Sequence, residues 1–327
     1  MATSIARLLI TGCLGAATLA GWRVDVRAQS DYPNRPVRLV NPYAPGGAVD
    51  LVGRAVATGI AQLWGQQIIV DNRPGAGTMI GSEIVARADP DGYTMLCNTP
   101  AIAIMPGIYR NMRFDTLRDL TPVVHIAGTP SMLAVHPSVS AKTVKDLLAI
   151  ARAQPGRITV AASGFGTSNH LTAELFQTIA QVKLVVVPYK GGGPALEDFI
   201  GGQVDMFFNT PAALLPLTKT GRTRVLAILD TQRADYAPDI PALAETFPGF
   251  EAATWYGIYG PRALPAALAQ RWNDAVNQLL KSPQTLVYFR THHMRPAGGT
   301  IAAFSEYHQS ETMRWSKVIV TAGIKPQ

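Results

Sequence analysis

Short β-branched runs alternate with stretches of helical apolar spacing, and the alternation runs through the chain twice. In the first series, 37–40, 67–70 and 93–97 read as strands, and 49–64 and 80–88 as helices. Asp-Pro-Asp-Gly at 89–92 is a turn, its proline and glycine setting the dihedrals. The second series has strands at 131–136, 158–162, 184–187, 204–208 and 224–229, with helices at 144–153, 169–180 and 195–200. A proline-punctuated stretch at 238–248 leads to one further strand at 254–259. The remainder is helical, over 265–280, 283–290 and 301–320, with Pro265 and Pro283 in first turns, where no N–H is needed. This order predicts an α/β fold of two units with mostly parallel sheets. One strand cannot make a third domain, so the tail is expected to pack back on the first unit. The expected division is a discontinuous first lobe, 29–127 with 231–327, and a second lobe, 128–230. The crossings between them are expected near 122–130 and 225–255.

Composition narrows the functional classes. Of 327 residues, 47% are hydrophobic and 16% charged, too apolar for a disordered chain. Two cysteines exclude a disulfide-dense scaffold and a thiolate zinc site. The net charge of +7 is spread without a basic run, which argues against a nucleic-acid partner. Residues 1–28 read as a signal peptide: Arg7, an apolar stretch over 8–20, then Val-Arg-Ala at 26–28, with cleavage expected after Ala28. The stretch is shorter than the roughly 20 residues of a membrane span. Ile-Thr-Gly-Cys at 10–13 loosely fits a lipoprotein site, but little apolar sequence precedes Cys13 and more follows it. Cleavage would leave Cys97 alone and a net charge of 26 − 21 = +5. Export argues against an NAD- or ATP-dependent role, so no cofactor is expected.

The informative residues fall where strands end and helices begin, the place where open α/β sheets bind ligands. Helix N-termini there offer unpaired N–H groups and a positive dipole end. In the first loop, 41–50, Gly46 and Gly47 allow close backbone approach and unusual dihedrals, Tyr43 can wall a pocket, and Asp50 can cap the helix or order the loop. The second, 72–81, spaces Gly75, Gly77 and Gly81 like a weak dinucleotide fingerprint. The third, 163–170, carries Ser163, Thr167 and Ser168 with two glycines and His170 at a helix start. It reads best as an anion-binding loop. A serine-hydrolase reading, with Ser163 or Ser168 as nucleophile and His170 as base, lacks both a G-x-S-x-G elbow and an orienting acid. The fourth, 188–194, lacks phosphate-loop spacing, and Lys190 reads as solvated. Asn209-Thr210-Pro211 closes a further junction and could supply donors. Of His292, His293 and His308, the adjacent pair cannot share a helix face and no carboxylate motif accompanies them, so they read as solvated or capping, not as metal ligands.

As a set, these loops resemble the Bug-type extracytoplasmic solute receptors, the TctC-like substrate-binding components of tripartite tricarboxylate transporters. The resemblance rests on Tyr-Pro-Asn-Arg-Pro-Val-Arg at 32–38, Ala-Pro-Gly-Gly-x-x-Asp at 44–50, Asn-Arg-Pro-Gly-Ala-Gly at 72–77 and Asp-Gly-Tyr-Thr-Met-Leu at 91–96. It continues with Gly-Thr-Ser-Asn-His-Leu at 166–171, Pro-Tyr-Lys-Gly at 188–191 and Gly-Gly-Gln-Val-Asp at 201–205. It implies a type II periplasmic binding protein: two α/β lobes, a ligand cleft and a two-strand hinge. It implies no catalysis and no metal. The implied ligand is a small organic acid, a mono-, di- or tricarboxylate, captured by lobe closure and delivered to membrane transporter subunits by a periplasmic monomer. Mapped onto this chain, the implied ligand-binding residues are Tyr43, Ala44, Pro45, Gly46, Gly47 and Asp50 in the first loop and Gly77 and Thr78 in the second. Thr99 follows, then Ser163, Gly164, Gly166, Thr167 and His170, and finally Tyr189 and Asn209. A sensing role would use the same cleft.

Three departures from the family pattern stand out. Ala48-Val49 precedes Asp50 where a hydroxyl residue is usual, Thr78 replaces a third glycine, and 98–103 is unusually apolar. They suggest a ligand with one carboxylate and an apolar or aromatic body. Preference for citrate over every monocarboxylate would count against that expectation.

Overall fold

A computed structural model describes residues 32–326. The expected signal peptide and its cleavage site lie outside the described residues. The chain forms β1 (Val37–Asn41), α1 (Ala48–Trp64), β2 (Ile68–Asn72), α2 (Met79–Ala86), β3 (Thr94–Asn98), α3 (Ala101–Ile108), β4 (Leu120–Pro130) and β5 (Met132–Val135). Next come α4 (Val144–Ala153), β6 (Thr159–Ala162), α5 (Ser168–Ala180), β7 (Val185–Pro188), α6 (Gly192–Ile200), β8 (Met206–Asn209), α7 (Pro211–Lys219) and β9 (Arg224–Ile228). The chain closes with β10 (Ala253–Pro261), α8 (Ala266–Leu280), α9 (Pro283–Thr291), β11 (Arg295–Pro296) and α10 (Ile301–Thr321).

Two sheets result, one ordered β11-β4-β10-β3-β1-β2 and the other β7-β6-β8-β5-β9. The α/β class holds, but the expectation of mostly parallel sheets is corrected. β1 runs parallel to β2 and β3, and β6 parallel to β7 and β8. By contrast β10 is antiparallel to β3 and β4, and β5 is antiparallel to β8 and β9. The cause is the connectivity. A strand that enters a sheet from the other sheet needs no helical crossover, so nothing imposes the parallel direction.

The sequence reading expects a crossing near 122–130, with the second lobe opening at 128. β4 continues on the first sheet to Pro130, and the chain changes sheet at Ser131. Pro122 and the glycine and threonine near the end of β4 hide a strand from propensity. The proline is tolerated because the β4–β10 ladder shifts register between Ile258 and Tyr259, the latter being opposite Pro122. The return passage is tied to the outward one. Leu229 N–H donates to Ser131 O, Ser131 N–H to Ala252 O, and Ala252 N–H to Leu229 O. Two of these main-chain bonds fasten the crossings to each other, and the third closes the return passage on itself.

Helix α10 covers the first sheet, and its buried Glu311 is an unusual anchor. Its Oε2 accepts from both the Trp255 and Trp315 indole N–H groups, at 3.0 and 3.1 Å, and Oε1 accepts from Arg314 at 3.0 Å. Glu311→Leu would leave two buried indole donors unmatched, at about 1–3 kcal/mol each. We expect a loss of roughly 3 kcal/mol in urea unfolding, with the fold retained. A change under about 0.5 kcal/mol, the range of an ordinary surface substitution, would contradict this role.

Candidate functional site

Between the sheets lies a cavity of about 400 Å³. From the first-sheet side it is walled by Tyr43, Gly46, Gly47 and Thr99, and from the second by Ser163, Thr167 and Asn209. Among the described residues, no Asp, Glu, Lys or Arg side chain lines it. Leu51, Leu196, Phe208 and Leu217 supply apolar wall.

Helices α1, α5, α6 and α7 all begin at this cavity, with Gly47, Thr167, Gly191 and Thr210 as N-caps, and no cap side chain bonds the helix it starts. Their donors differ. In α1, Leu51 N–H returns to Gly47 O, which leaves the N–H groups of Ala48, Val49 and Asp50 without a protein acceptor among the described residues. In α5, Leu171 N–H returns to Thr167 O and leaves those of Ser168, Asn169 and His170. In α6, Pro194 has no N–H, so Gly192 and Gly193 supply the donors. In α7, Pro211 has none and Ala213 N–H already bonds Thr210 O, so Ala212 alone remains. The donor-rich end of the cavity is therefore the meeting of α1, α5 and α6. Such a group of N–H donors at helix starts favours an anion.

The first loop is held rigid from behind. Asp50 is buried and accepts from Gly46 N–H at 3.1 Å, Asn72 Nδ2 at 2.9 Å and Arg54 Nε at 2.9 Å. Burial pushes its carboxyl upward, but these bonds outweigh burial and hold it below the usual carboxylate range. Asn72 also donates to Tyr43 O at 3.0 Å, so the second loop positions the first. Tyr43 Oη and Thr99 Oγ1 share a 2.7 Å bond. Gly46 adopts φ +84°, which needs glycine, whereas Gly47 lies at φ −79° and carries no such demand. This corrects the reading of both glycines as conformationally special.

The third loop is organised by Asn169. It donates to Ser163 Oγ at 2.8 Å, while its Oδ1 accepts Ser163 N–H at 3.1 Å and Thr167 Oγ1 at 2.8 Å. Ser163 Oγ thus accepts within the protein, and its proton is left for the cavity. Ser163→Ala is expected to weaken ligand binding by about 1–2 kcal/mol. Unchanged affinity in calorimetry would remove Ser163 from the site.

The remaining residues of the sequence prediction lie outside the cavity wall, as supports or rims. Asp50 orders the first loop, as described. His170 Nδ1 accepts Gly166 N–H at 3.1 Å, and its Nε2 faces Glu174 at 3.7 Å. Burial pushes His170 down to about 4. With one nitrogen on the backbone and the other toward Glu174, it has no site for a serine proton. Thr78 sits at φ +83° and its Oγ1 accepts from Asn98, while Gly77 abuts the Phe165 carbonyl and the Tyr109 hydroxyl. Gly164 offers its carbonyl to Thr167, and Gly166 packs near Ile108 and Tyr109. Tyr189 donates to Asp198 at 2.8 Å. Ala44 and Pro45 form a rim against Gly191 and Gly193. Of the departures, Ala48 and Val49 do line the cavity, whereas Ala101, Ile102 and Ala103 are core and do not touch it. His308 is fully buried in the core, correcting its reading as solvated or capping. His292 caps the C-terminus of α9 and also lines the cavity. Among the described residues no cluster could hold a metal.

Sequence reasoning missed Tyr256, Thr254, His292 and Ser131 as wall residues. Nothing local marks them. Tyr256 and Thr254 sit in the strand that returns to the first sheet, and Ser131 sits at the crossing.

Two α/β halves joined by paired crossings, with helix starts converging on the cleft, define a type II periplasmic solute-binding protein. A sequence profile of the tripartite tricarboxylate transporter family receptors, TctC, matches residues 52–324, and the chain belongs to that family. Its members are periplasmic receptors that bind solutes and are not enzymes. The chain is 35% identical, over 94% of its length and 93% of the relative's, to the UPF0065 protein in the tcbD-tcbE intergenic region of Pseudomonas sp. strain P51. Its structure resembles that of R. palustris Rpa4515 with adipate, with TM-score 0.87 and 35% identity, over 91% of this chain and 100% of that one. It also resembles MatC from Rhodopseudomonas palustris with bound malate, with TM-score 0.82 and 27% identity, over 88% of this chain and 100% of that one.

Proposed function

We propose that this chain is exported after cleavage near Ala28, works as a monomer in the periplasm, and captures a small organic acid for a membrane transporter. The observation that carries this reading is the set of N–H groups at the starts of α1, α5 and α6 that are unpartnered among the described residues, facing a cavity that none of their Asp, Glu, Lys or Arg side chains lines. A carboxylate satisfies those donors without needing an arginine. The adipate and malate held by the two similar structures are consistent with such a ligand. In this reading the first lobe is the sheet built from β1–β4, β10 and β11, and the second is the sheet built from β5–β9. Closure is rotation about Ser131 and the bonded return passage. Small-angle scattering with and without saturating ligand tests it. Compaction on binding is expected, and an unchanged profile at saturation would rule out closure. A fluorophosphonate probe is expected to label neither Ser163 nor Ser168.

A further inference from the structure

Resting on the carboxylate reading above, we propose that Asn209 is a specificity-determining residue: it selects acids whose far end is an oxygen acceptor and turns away acids that end in an ammonium. Asn209 ends β8, one residue before the N-cap of α7, and lines the cavity. Its Oδ1 accepts Thr210 N–H at 2.8 Å. A backbone N–H can only donate, so this bond fixes which end of the amide is oxygen and leaves Nδ2 as a donor. Nδ2 has no protein acceptor among the described residues. The bond to Thr210 also holds the side chain at the cavity wall, so the donor is in place before a ligand arrives.

Two hydroxyls come from the neighbouring crossings. Asn209 pairs with Met132, and Ser131 is the residue before Met132. Thr254 pairs with Thr129, on the strand that leads into Ser131. Ser131 and Thr254 both line the cavity. Ser131 is only 6% exposed, and its hydroxyl, like that of Thr254, has no protein partner among the described residues. Neither is sealed off as the Tyr256 and Thr210 hydroxyls are. Ala212 N–H, in the first turn of α7, adds a further donor. The hydrogens fixed here, on Asn209 Nδ2 and Ala212, are all donors, and the two hydroxyls can rotate to donate as well. An oxygen acceptor, whether a carboxylate or a neutral carbonyl, satisfies them together. An ammonium would set its own hydrogens against those of Nδ2 and its charge against the positive end of α7. Among the described residues no Asp or Glu side chain lines the cavity to balance that charge. An aspartate at 209 could still accept Thr210 N–H, so Asn209→Asp changes the donor and keeps the bond that orients it.

Calorimetry at neutral pH on the exported receptor tests this with two matched sets of different length. One is pentanoate, 4-oxopentanoate, succinate and 4-aminobutanoate. The other is heptanoate, 6-oxoheptanoate, adipate and 6-aminohexanoate. In at least one set an acid with the oxygen acceptor is expected to bind about ten-fold tighter than the plain acid, with the amino acid weakest, because a site built to pair a polar group discriminates against its absence. A gain by the diacid alone identifies the acceptor as a carboxylate, and an equal gain by the keto acid as a neutral carbonyl. Asn209→Ala is expected to bring the acceptor acids to within about two-fold of the plain acid. Asn209→Asp is expected to invert the order, weakening the diacid and lifting the amino acid above the plain acid, since an attractive contact becomes a repulsive one. The proposal is overturned if the plain acid binds as tightly as both acceptor acids in each set, if the amino acid binds the natural chain tightest, or if Asn209→Asp leaves the order as it was. Equal weakening of every acid by both variants would also overturn it, since a purely structural role gives that result. Binding of none of the eight acids would overturn the carboxylate reading itself, and this proposal with it.

Discussion

Gly77→Ala is expected to raise the Kd for ligand about 100-fold while both sheets stay folded. Gly77 sits at φ +57°, and a Cβ there would overlap the Phe165 carbonyl oxygen and the Tyr109 hydroxyl. Phe165 belongs to the loop that opens α5, and Tyr109 donates to its carbonyl at 3.2 Å. The obstruction therefore falls on the rim where the two halves meet, not in either core. Relieving it means holding the rim apart, so the closed form becomes a minor state. If that state falls to about 1%, the apparent affinity falls by about the same factor. The left-handed conformation adds about 1 kcal/mol of local cost, which a domain of this size tolerates. Calorimetry and a denaturation curve on one sample separate the effects. Lost stability with unchanged affinity would mean that this contact is not part of closure.

Acid is expected to destabilise the protein well before its carboxylates titrate. His125, His170 and His308 are all pushed down to about 4, in each case chiefly by burial. Their ordinary value is 6.5, so between 6.5 and 4 the unfolded chain takes up protons that the folded chain refuses. The contribution is complete above 6.5 and is lost as pH falls toward 4. A depression of this size corresponds to roughly 2–3 kcal/mol per histidine. Glu311 near His125 and Glu174 beside His170 temper it. Between pH 7.5 and 4.5 we expect a loss on the order of 5 kcal/mol. Asp50 and Asp71 are held below the usual carboxylate range and so keep their contribution at pH 4.5. A flat stability profile across that interval in urea titrations would mean that the three buried histidines do not govern acid sensitivity.

Much of the architecture was legible because the relevant signals are local. Val144–Ala153 matches its sequence reading at both ends, helped by the Thr143–Asp146 capping box. α3 was not legible. Ala101–Met105 is buried on every side and so has no polar face to set a period. α7 was obscured by Pro211 and Pro216, although the first of these only starts the helix. At the site, the glycine and hydroxyl loops announce an anion-binding region, and the cavity is walled by Tyr43, Gly46, Gly47, Thr99, Ser163, Thr167 and Asn209. The second loop carries glycines for a different reason. Gly81 packs on Pro42, Gly75 on Ile80 and Gly77 on the opposite rim, so the spacing that imitates a dinucleotide fingerprint serves loop contacts. Tyr256 and His292 reach the cavity through tertiary placement alone, which periodicity cannot report.

In the proposed function, helix starts hold a carboxylate. A thermal-shift comparison of small carboxylic acids with their primary amides tests it most directly, because size and shape are kept while the charge is removed. Acid at about 100 times its Kd should stabilise the receptor by about 2.7 kcal/mol. A clear rise in Tm is expected with one group of acids and none with the matching amides. Equal shifts from acid and amide, or a shift from amides alone, would contradict it.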